Sequence, residues 1–186
     1  MNKLYIPIIF AAATEKRQSY TELCAHATKI FVEKADINTE IIDAQKEIQF
    51  CHANREIDTP EARVLREKLN RADGFIIVSP EYNHGYPGDL KNLLDSFLDE
   101  YNRKPVGIIG VSSGGIGGAR VIEQLRLVAI ALAMIPISGA ILFSQATKLF
   151  NDDKTFNAEK EYEPRFKKFL DELIWYAEAL KVAREK

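Results

Sequence analysis

Five short apolar segments alternate along this chain with segments whose apolar residues recur at helical spacing. The apolar segments are residues 4–10, 39–44, 73–79, 105–113 and 137–143, and the helical patterns cover residues 19–34, 59–72, 90–101, 119–134 and 162–180. This alternation predicts a parallel sheet with helices on both faces, because right-handed crossovers place them there. We therefore expect an α/β three-layer sandwich, formed as a single domain by residues 1–186. The mostly polar residues 45–58 are expected to be irregular.

Composition and charge argue against several classes of function. The net charge of −2 argues against a nucleic-acid partner, which normally requires a basic excess. The two cysteines, Cys24 and Cys51, have neither a metal-ligand spacing nor the density of a disulfide framework, so we expect no metal site and a reducing cytoplasm. Arg126 and Pro136 interrupt the longest apolar stretch, so no membrane span is expected.

Three loops should carry the function. Ligands of parallel α/β sheets bind at the carboxyl ends of the strands, where neighbouring crossovers go to opposite faces. The loops predicted there are residues 11–19 (the first loop), 79–89 (the second loop) and 112–118 (the third loop).

The first loop, "AAATEKRQS", ends at the start of a helix. Arg17, Gln18 and Ser19 would stand at its N-terminus, where free N–H groups and the helix dipole attract an anion. The alternative interpretation makes Ser19 a simple N-cap and Arg17 a surface charge.

The third loop and the residues after it read "SSGGIGGAR", with four glycines in five positions directly after a strand. Glycines let the backbone approach a flat or anionic ligand closely, although a tight turn is the alternative. The dinucleotide pattern Gly-x-Gly-x-x-Gly is not met. Ser112 and Ser113 lack a recognisable His/Asp pair, so a serine nucleophile is not expected.

The second loop, "SPEYNHGYPGD", is longer than a strand-to-helix connection needs. Pro80 would stiffen its start, and Gly85 and Gly88 would allow unusual backbone conformations. It also contains aromatic faces and polar edges, as a planar heterocycle with polar edges requires, supplied by Glu81, Tyr82, Asn83 and Tyr86. A lone loop histidine such as His84 more often contacts solvent or a partner than acts in catalysis.

The stretch "SPEYNHGYPGDLKNLLDSF" resembles the second flavin loop of the NAD(P)H-dependent FMN reductase family, whose form is S/T-P-E-Y-N-x-x-x-P-G-x-L-K-N-x-x-D. "VSSGGIGGARVIEQLR" is similar to the family's third loop, and "FLDELIWYAEAL" to its last helix. The resemblance implies a flavodoxin-like sheet of order 2-1-3-4-5, bound FMN, and a homodimer or homotetramer.

The resemblance also implies which residues hold FMN. The first loop would grip its phosphate and the second and third loops its isoalloxazine ring, through Thr14, Arg17, Gln18, Ser19, Pro80, Glu81, Tyr82, Asn83, Ser112, Ser113, Gly114, Gly115 and Gly118. His84 and Tyr86 would face the substrate and the partner subunit. Where the family has Gly-Ser/Thr-x-Arg, this chain has Ala11-Ala12-Ala13-Thr14, so Thr14 stands in for a lost hydroxyl.

The expected function is that of an FMN-dependent oxidoreductase. NADPH or NADH would pass a hydride to flavin N5, and a quinone, flavin, azo or metal acceptor would then take the two electrons in a ping-pong cycle. No side chain is expected to be catalytic, because the flavin carries the chemistry. Two alternatives are a flavodoxin-like electron carrier and a flavin-free family member that acts through protein contacts.

Overall fold

Among the residues that the structure describes, five parallel strands form one sheet in the order β2-β1-β3-β4-β5. The structure, a computed structural model, describes residues 3–12, 19–51 and 58–185. The strands are β1 (Ile8–Phe10), β2 (Ile41–Asp43), β3 (Phe75–Pro80), β4 (Pro105–Val111) and β5 (Ile135–Phe143). The predicted sheet order is confirmed.

In the described part of the chain, six α-helices connect or follow these strands. They are α1 (Tyr20–Lys34), α2 (Ala44–Cys51), α3 (Pro60–Arg71), α4 (Gly88–Ser96), α5 (Ala119–Ala131) and α6 (Glu159–Arg184), and 3-10 turns span Asp99–Tyr101 and Ala146–Lys148. The helices α1 and α6 cover one face of the sheet, and α3, α4 and α5 cover the other. The predicted three-layer sandwich is therefore confirmed.

Strand β3 shows why the strands read as continuous apolar runs. Ile76 and Val78 pack towards α1 and α6, whereas Phe75 and Ile77 pack towards the opposite layer. All six residues of the strand are buried. A strand covered on both faces needs apolar residues at every position, and this separates it from a half-exposed strand with alternating polarity.

The prediction that residues 45–58 are irregular is wrong for their first half, which belongs to α2. Asp43 supports the start of this helix, since its Oδ1 accepts a hydrogen bond from Gln45 N at 3.1 Å. Ala44, Ile48 and Cys51 also follow the i, i+4, i+7 spacing of a helix. The helix packs against α4. Residues 52–57 lie outside the described residues.

The apolar stripe predicted as one helix over residues 90–101 is divided. The helix α4 ends at Ser96, and Phe97 has an extended backbone (φ −130°, ψ 149°). A short turn follows, in which the Glu100 carboxylate accepts a hydrogen bond from Leu98 N at 3.0 Å. The same carboxylate forms an ion pair with Arg66 of α3 at 3.0 Å. The break keeps Phe97 and Tyr101 buried but leaves Leu98 exposed, contrary to the prediction.

Candidate functional site

The sheet order brings the three loops to one edge of the molecule. The strands β1, β3 and β4 are neighbours, and the first, second and third loops follow them at their carboxyl ends. The helix after β1 lies on one face of the sheet, whereas the helix after β3 lies on the other. Such a reversal opens a crevice between the strand ends, which is where open α/β sheets bind ligands.

The described part of the first loop consists of its two ends. Ala11 and Ala12 are buried where the chain leaves β1. At the other end Ser19 is the N-cap of α1, and its Oγ accepts a hydrogen bond from Glu22 N at 3.1 Å. The capping role that the sequence offered as an alternative is therefore present. The predictions for Thr14, Arg17 and Gln18 lie outside the described residues.

The second loop forms a two-residue β-hairpin. Tyr82 N and Gly85 N each donate a hydrogen bond to the other residue's carbonyl oxygen, both at 2.9 Å. The two residues between them, Asn83 and His84, have positive φ values of 49° and 69°. Positive φ at both central residues is the pattern of a type I′ turn, whose twist matches that of paired strands.

This geometry corrects the expected role of the glycines. The unusual backbone conformations of the second loop belong to Asn83 and His84, not to Gly85 and Gly88. Gly88 is simply the first residue of α4. Asparagine tolerates the left-handed region well because its short polar side chain can hydrogen-bond locally, whereas histidine does so at a cost of roughly 1–2 kcal/mol.

The tip of the hairpin points away from the core. The Tyr82 side chain is 42% exposed, and Asn83 and His84 are also exposed. In contrast, Tyr86 is half-buried and packs against the core under α3, α4 and α5. The base of the second loop is also fixed, since Pro80 pairs with Val111 in the β3–β4 register. The loop therefore presents polar and aromatic groups on a rigid support.

The fold itself requires two glycines of the third loop. Gly117 and Gly118 have φ values of 65° and 79°, in the left-handed region. A Cβ atom on Gly118 would lie 2.8 Å from Val111 N and 2.9 Å from Gly110 Cα, and one on Gly117 would lie 2.7 Å from Leu142 Cβ. Since no Cβ fits at such distances, these two glycines are explained by close packing against the ends of β4 and β5.

The other two glycines of the third loop have no such explanation. Gly114 and Gly115 are exposed and do not have φ values in the left-handed region. A Cβ atom on Gly115 would have no neighbour within 4 Å, and one on Gly114 would meet only Ser112 Oγ at 4.0 Å. Packing would therefore accept alanine at both positions. What the glycines preserve is open space beside the backbone, at the carboxyl ends of the strands, where open α/β sheets generally bind ligands.

Hydrogen bonds to the segment after β5 hold the third loop in place. Gln145 N donates to Gly114 O, and Ala146 N donates to Ser112 O, both at 2.9 Å. The Ser112 hydroxyl is also engaged, because it donates to Gly114 O at 3.0 Å. Ser113 is exposed. The exposed glycines therefore lie on a fixed backbone.

Glu81 connects the second loop to the start of α5. Its Oε1 accepts a hydrogen bond from Arg120 Nη1 at 2.8 Å, and its Oε2 accepts one from Arg120 N at 3.1 Å. Burial by itself raises the pKa of Glu81, but the hydrogen bonds and charge of Arg120 outweigh it and hold the pKa below its ordinary value. The carboxylate therefore stays ionised. The sequence did not predict this pair, although the N-cap of α5 is a glycine and the first turn of α5 has no acidic residue.

A second cleft, of about 650 Å³, lies at the opposite end of the sheet and has the character of an internal ion-pair network. The Tyr5 hydroxyl donates to Glu40, and Lys181 pairs with Asp73 at 3.0 Å. Since the charges that line this cleft are paired with one another, we place the candidate site at the carboxyl ends of the strands instead. Within residues 3–12, 19–51 and 58–185 there is no cluster of metal-ligating side chains. In the same ranges no helix has the length and apolar character to cross a membrane.

Comparisons with known proteins match this chain to flavin enzymes. The family model described as NADPH-dependent FMN reductase matches residues 7–148. An FMN-dependent NADPH-azoreductase from Staphylococcus saprophyticus is 30% identical over 174 residues, covering 89% of this chain and 92% of the relative.

Solved structures with the same fold include two oxidoreductases. One is FerB, a flavoenzyme NAD(P)H:(acceptor) oxidoreductase from Paracoccus denitrificans, with a TM-score of 0.75 and 19% identity over 93% of this chain and 98% of that one. The other is an oxidoreductase from Corynebacterium diphtheriae, with a TM-score of 0.76 and 17% identity over 95% and 98% of the two chains. At these identities the structures support the fold alone.

Proposed function

The chain belongs to the NADPH-dependent FMN reductase family, and from this membership we propose that it oxidises NAD(P)H and passes two electrons to a small-molecule acceptor in alternating half-reactions. FMN is the cofactor of this activity, and NAD(P)H is the electron donor. An azo compound is the acceptor that we propose first, because the 30% identical relative is an azoreductase.

The two exposed glycines of the third loop are the main structural support for this proposal. Gly114 and Gly115 keep the backbone of the third loop accessible, although packing would accept alanine at both positions. A flat ring that lies against this backbone would use the space that a Cβ would fill. The hairpin on the neighbouring strand adds an exposed aromatic side chain, Tyr82, and a polar one, Asn83. These residues fit the ring system of FMN.

Each loop has a separate proposed role. The second loop orients the ring through Pro80, Tyr82 and Asn83, and the third loop supplies open backbone at Gly114 and Gly115. Ser19 begins the helix whose free N–H groups suit a phosphate. Bound FMN supplies the hydride chemistry, so the protein contributes binding and orientation rather than a general acid.

The hairpin also supports a proposal about assembly. Tyr82 and Ile116 lie at the tips of the second and third loops and are 42% and 49% exposed. Large apolar side chains at a ligand site are often covered by another chain. We propose a homodimer or homotetramer in which these tips, with His84, meet a second copy. A cytoplasmic location is proposed with it, since the cytoplasm supplies NAD(P)H.

Absorption spectroscopy tests the function. The purified protein is titrated with FMN, and NADPH and then NADH are added without oxygen before an azo dye is added. We expect flavin bands that are bleached by a pyridine nucleotide in a two-electron step and restored by the dye. A stable one-electron semiquinone without turnover would instead favour an electron carrier. A protein that stays colourless and binds no added FMN would refute the proposal and favour a flavin-free role.

A further inference from the structure

We infer that Glu81 and Arg120 are positioning residues, which together set the spacing between the second and third loops, and that the Glu81 side chain is not itself a ligand of FMN. This inference rests on the proposed function, because it concerns how tightly the two loops hold the flavin.

The start of α5 needs a partner from elsewhere in the chain. The first N–H groups of any α-helix have no acceptor within the helix, and a capping side chain normally supplies one. The N-cap of α5 is Gly118, which has no side chain, and the first turn of the helix has no acidic residue. No other residue type would fit at Gly118, because a Cβ there would press against Val111 N and Gly110 Cα. Local capping is therefore impossible.

Glu81 supplies this cap from 39 positions earlier in the chain. Its Oε2 accepts the hydrogen bond of Arg120 N in the first turn of α5, and its Oε1 holds the guanidinium of the same residue. A carboxylate at this position also interacts favourably with the positive end of the helix dipole. With both oxygens engaged by Arg120, the N-terminus of α5 already has its anion, which leaves the N-terminus of α1 for the FMN phosphate.

The backbone of Glu81 is fixed as well as its side chain. Glu81 N donates a hydrogen bond to Val111 O at 3.1 Å, one residue before the third loop begins. Tyr82, the next residue, opens the hairpin whose tip is exposed. The Glu81 side chain is 9% exposed and that of Arg120 is 47% exposed, so water reaches this ion pair from the side of the arginine. The orientation of the hairpin relative to Gly114 and Gly115 therefore depends on the contact between Glu81 and Arg120.

A double-mutant cycle with a matched control tests this inference. The variants are Glu81→Ala, Glu81→Gln, Arg120→Ala and the double variant Glu81→Ala/Arg120→Ala. The control pair is Glu161 and Arg165 on α6, which also form an ion pair at 2.8 Å but lie within one helix. The dissociation constant of FMN is measured by fluorescence quenching on protein freed of flavin. The visible circular dichroism of bound FMN and the melting temperature without FMN are recorded for every variant.

We expect Glu81→Ala to weaken FMN binding at least tenfold and to alter the circular dichroism of the bound flavin. Glu81→Gln should weaken binding about threefold, because its amide oxygen can still accept the Arg120 N–H. The double variant should bind FMN no more weakly than Glu81→Ala, since the two residues act as one unit. The variants Glu161→Ala and Arg165→Ala should leave FMN binding unchanged.

Three results would overturn the inference. The first is additive losses for the two alanine variants, and the second is an unchanged flavin spectrum with only a lower melting temperature. The third is equal weakening by Glu81→Gln and Glu81→Ala, which would point to a direct charge effect on FMN. If the unaltered protein binds no FMN, the proposed function fails and this inference fails with it. If the unaltered protein binds FMN but the cycle is additive, the inference alone fails.

Discussion

Replacing single glycines of the third loop by alanine should separate the residues that build the fold from those that make room for the ligand. At Gly118, alanine would have to adopt a φ of 79°, which costs about 1–2 kcal/mol. Its Cβ would also lie within 2.9 Å of two backbone atoms that cannot rotate away, and such overpacking costs about 1–3 kcal/mol. We therefore expect Gly118→Ala to destabilise the protein by about 3 kcal/mol. For a chain of this length the melting temperature would fall by roughly 6–12 °C.

At Gly115 the expected effect on stability has the opposite sign. A Cβ there meets no atom within 4 Å, and the backbone does not lie in the left-handed region. Alanine restricts the unfolded chain more than glycine does, so Gly115→Ala should stabilise the flavin-free protein by about 0.4–1 kcal/mol. The same methyl group would occupy the space proposed for the flavin, and we expect FMN binding to weaken at least tenfold.

The assay is thermal unfolding without FMN combined with FMN titration of the folded protein. Gly107→Ala serves as a control, because its Cβ would overlap the Phe169 ring where α6 packs on β4, away from the loops. It should lower the melting temperature without changing the affinity of the folded protein for FMN. The reasoning is refuted if Gly115→Ala destabilises the flavin-free protein as Gly118→Ala does, or binds FMN as tightly as the unaltered chain.

Two further substitutions test the electrostatics and the hairpin. Lys104 is buried, its Nζ donates to Leu69 O and Asn70 O at 2.7 Å each, and burial lowers its pKa from 10.5 to about 8. Between pH 8 and pH 10.5 the Lys104 amine is neutral in the folded protein but still protonated in the unfolded chain, so raising the pH favours the folded state. The free energy of unfolding, compared with that of Lys104→Met, should therefore rise by up to about 3 kcal/mol over this range. Urea unfolding across this range checks it, and a difference that does not change with pH would contradict it. His84→Gly should stabilise the protein by about 1 kcal/mol, since asparagine followed by glycine is a preferred type I′ turn. Thermal unfolding measures this gain, and a loss of stability would mean that the His84 side chain makes a stabilising contact.

Structural features that depend on residues close together in the sequence could be predicted from the sequence. The Ser19 cap and the buried strand β3 follow from local patterns, and both are present. The spacing of apolar residues did not predict where α4 ends. The apolar stripe at residues 90–101 fits a single helix, but the hydrogen bonds of Glu100 stabilise a separate turn after Phe97.

The resemblance to flavin reductases could also be found without coordinates, because it depends on an unbroken motif in the second loop. The motif does not say how its residues act. Glu81 is part of it, yet only the structure places the Glu81 carboxylate on α5. Likewise, the sequence contains four glycines after β4 but does not distinguish the two that packing requires from the two that it leaves open.

The sequence by itself determined the alternation of strands and helices apart from α2, the ends of the strands where the site is proposed, and the family. These follow from hydrophobic periodicity and from a contiguous motif, both of which are local properties of the chain. Only the tertiary structure decided which residues from β3, β4 and β5 meet at that edge. Gly118 lies against Val111, Gly117 lies against Leu142, and Glu81 binds Arg120, because the strand register sets these separations. Contacts between residues far apart in the chain depend on that register, which no local pattern encodes.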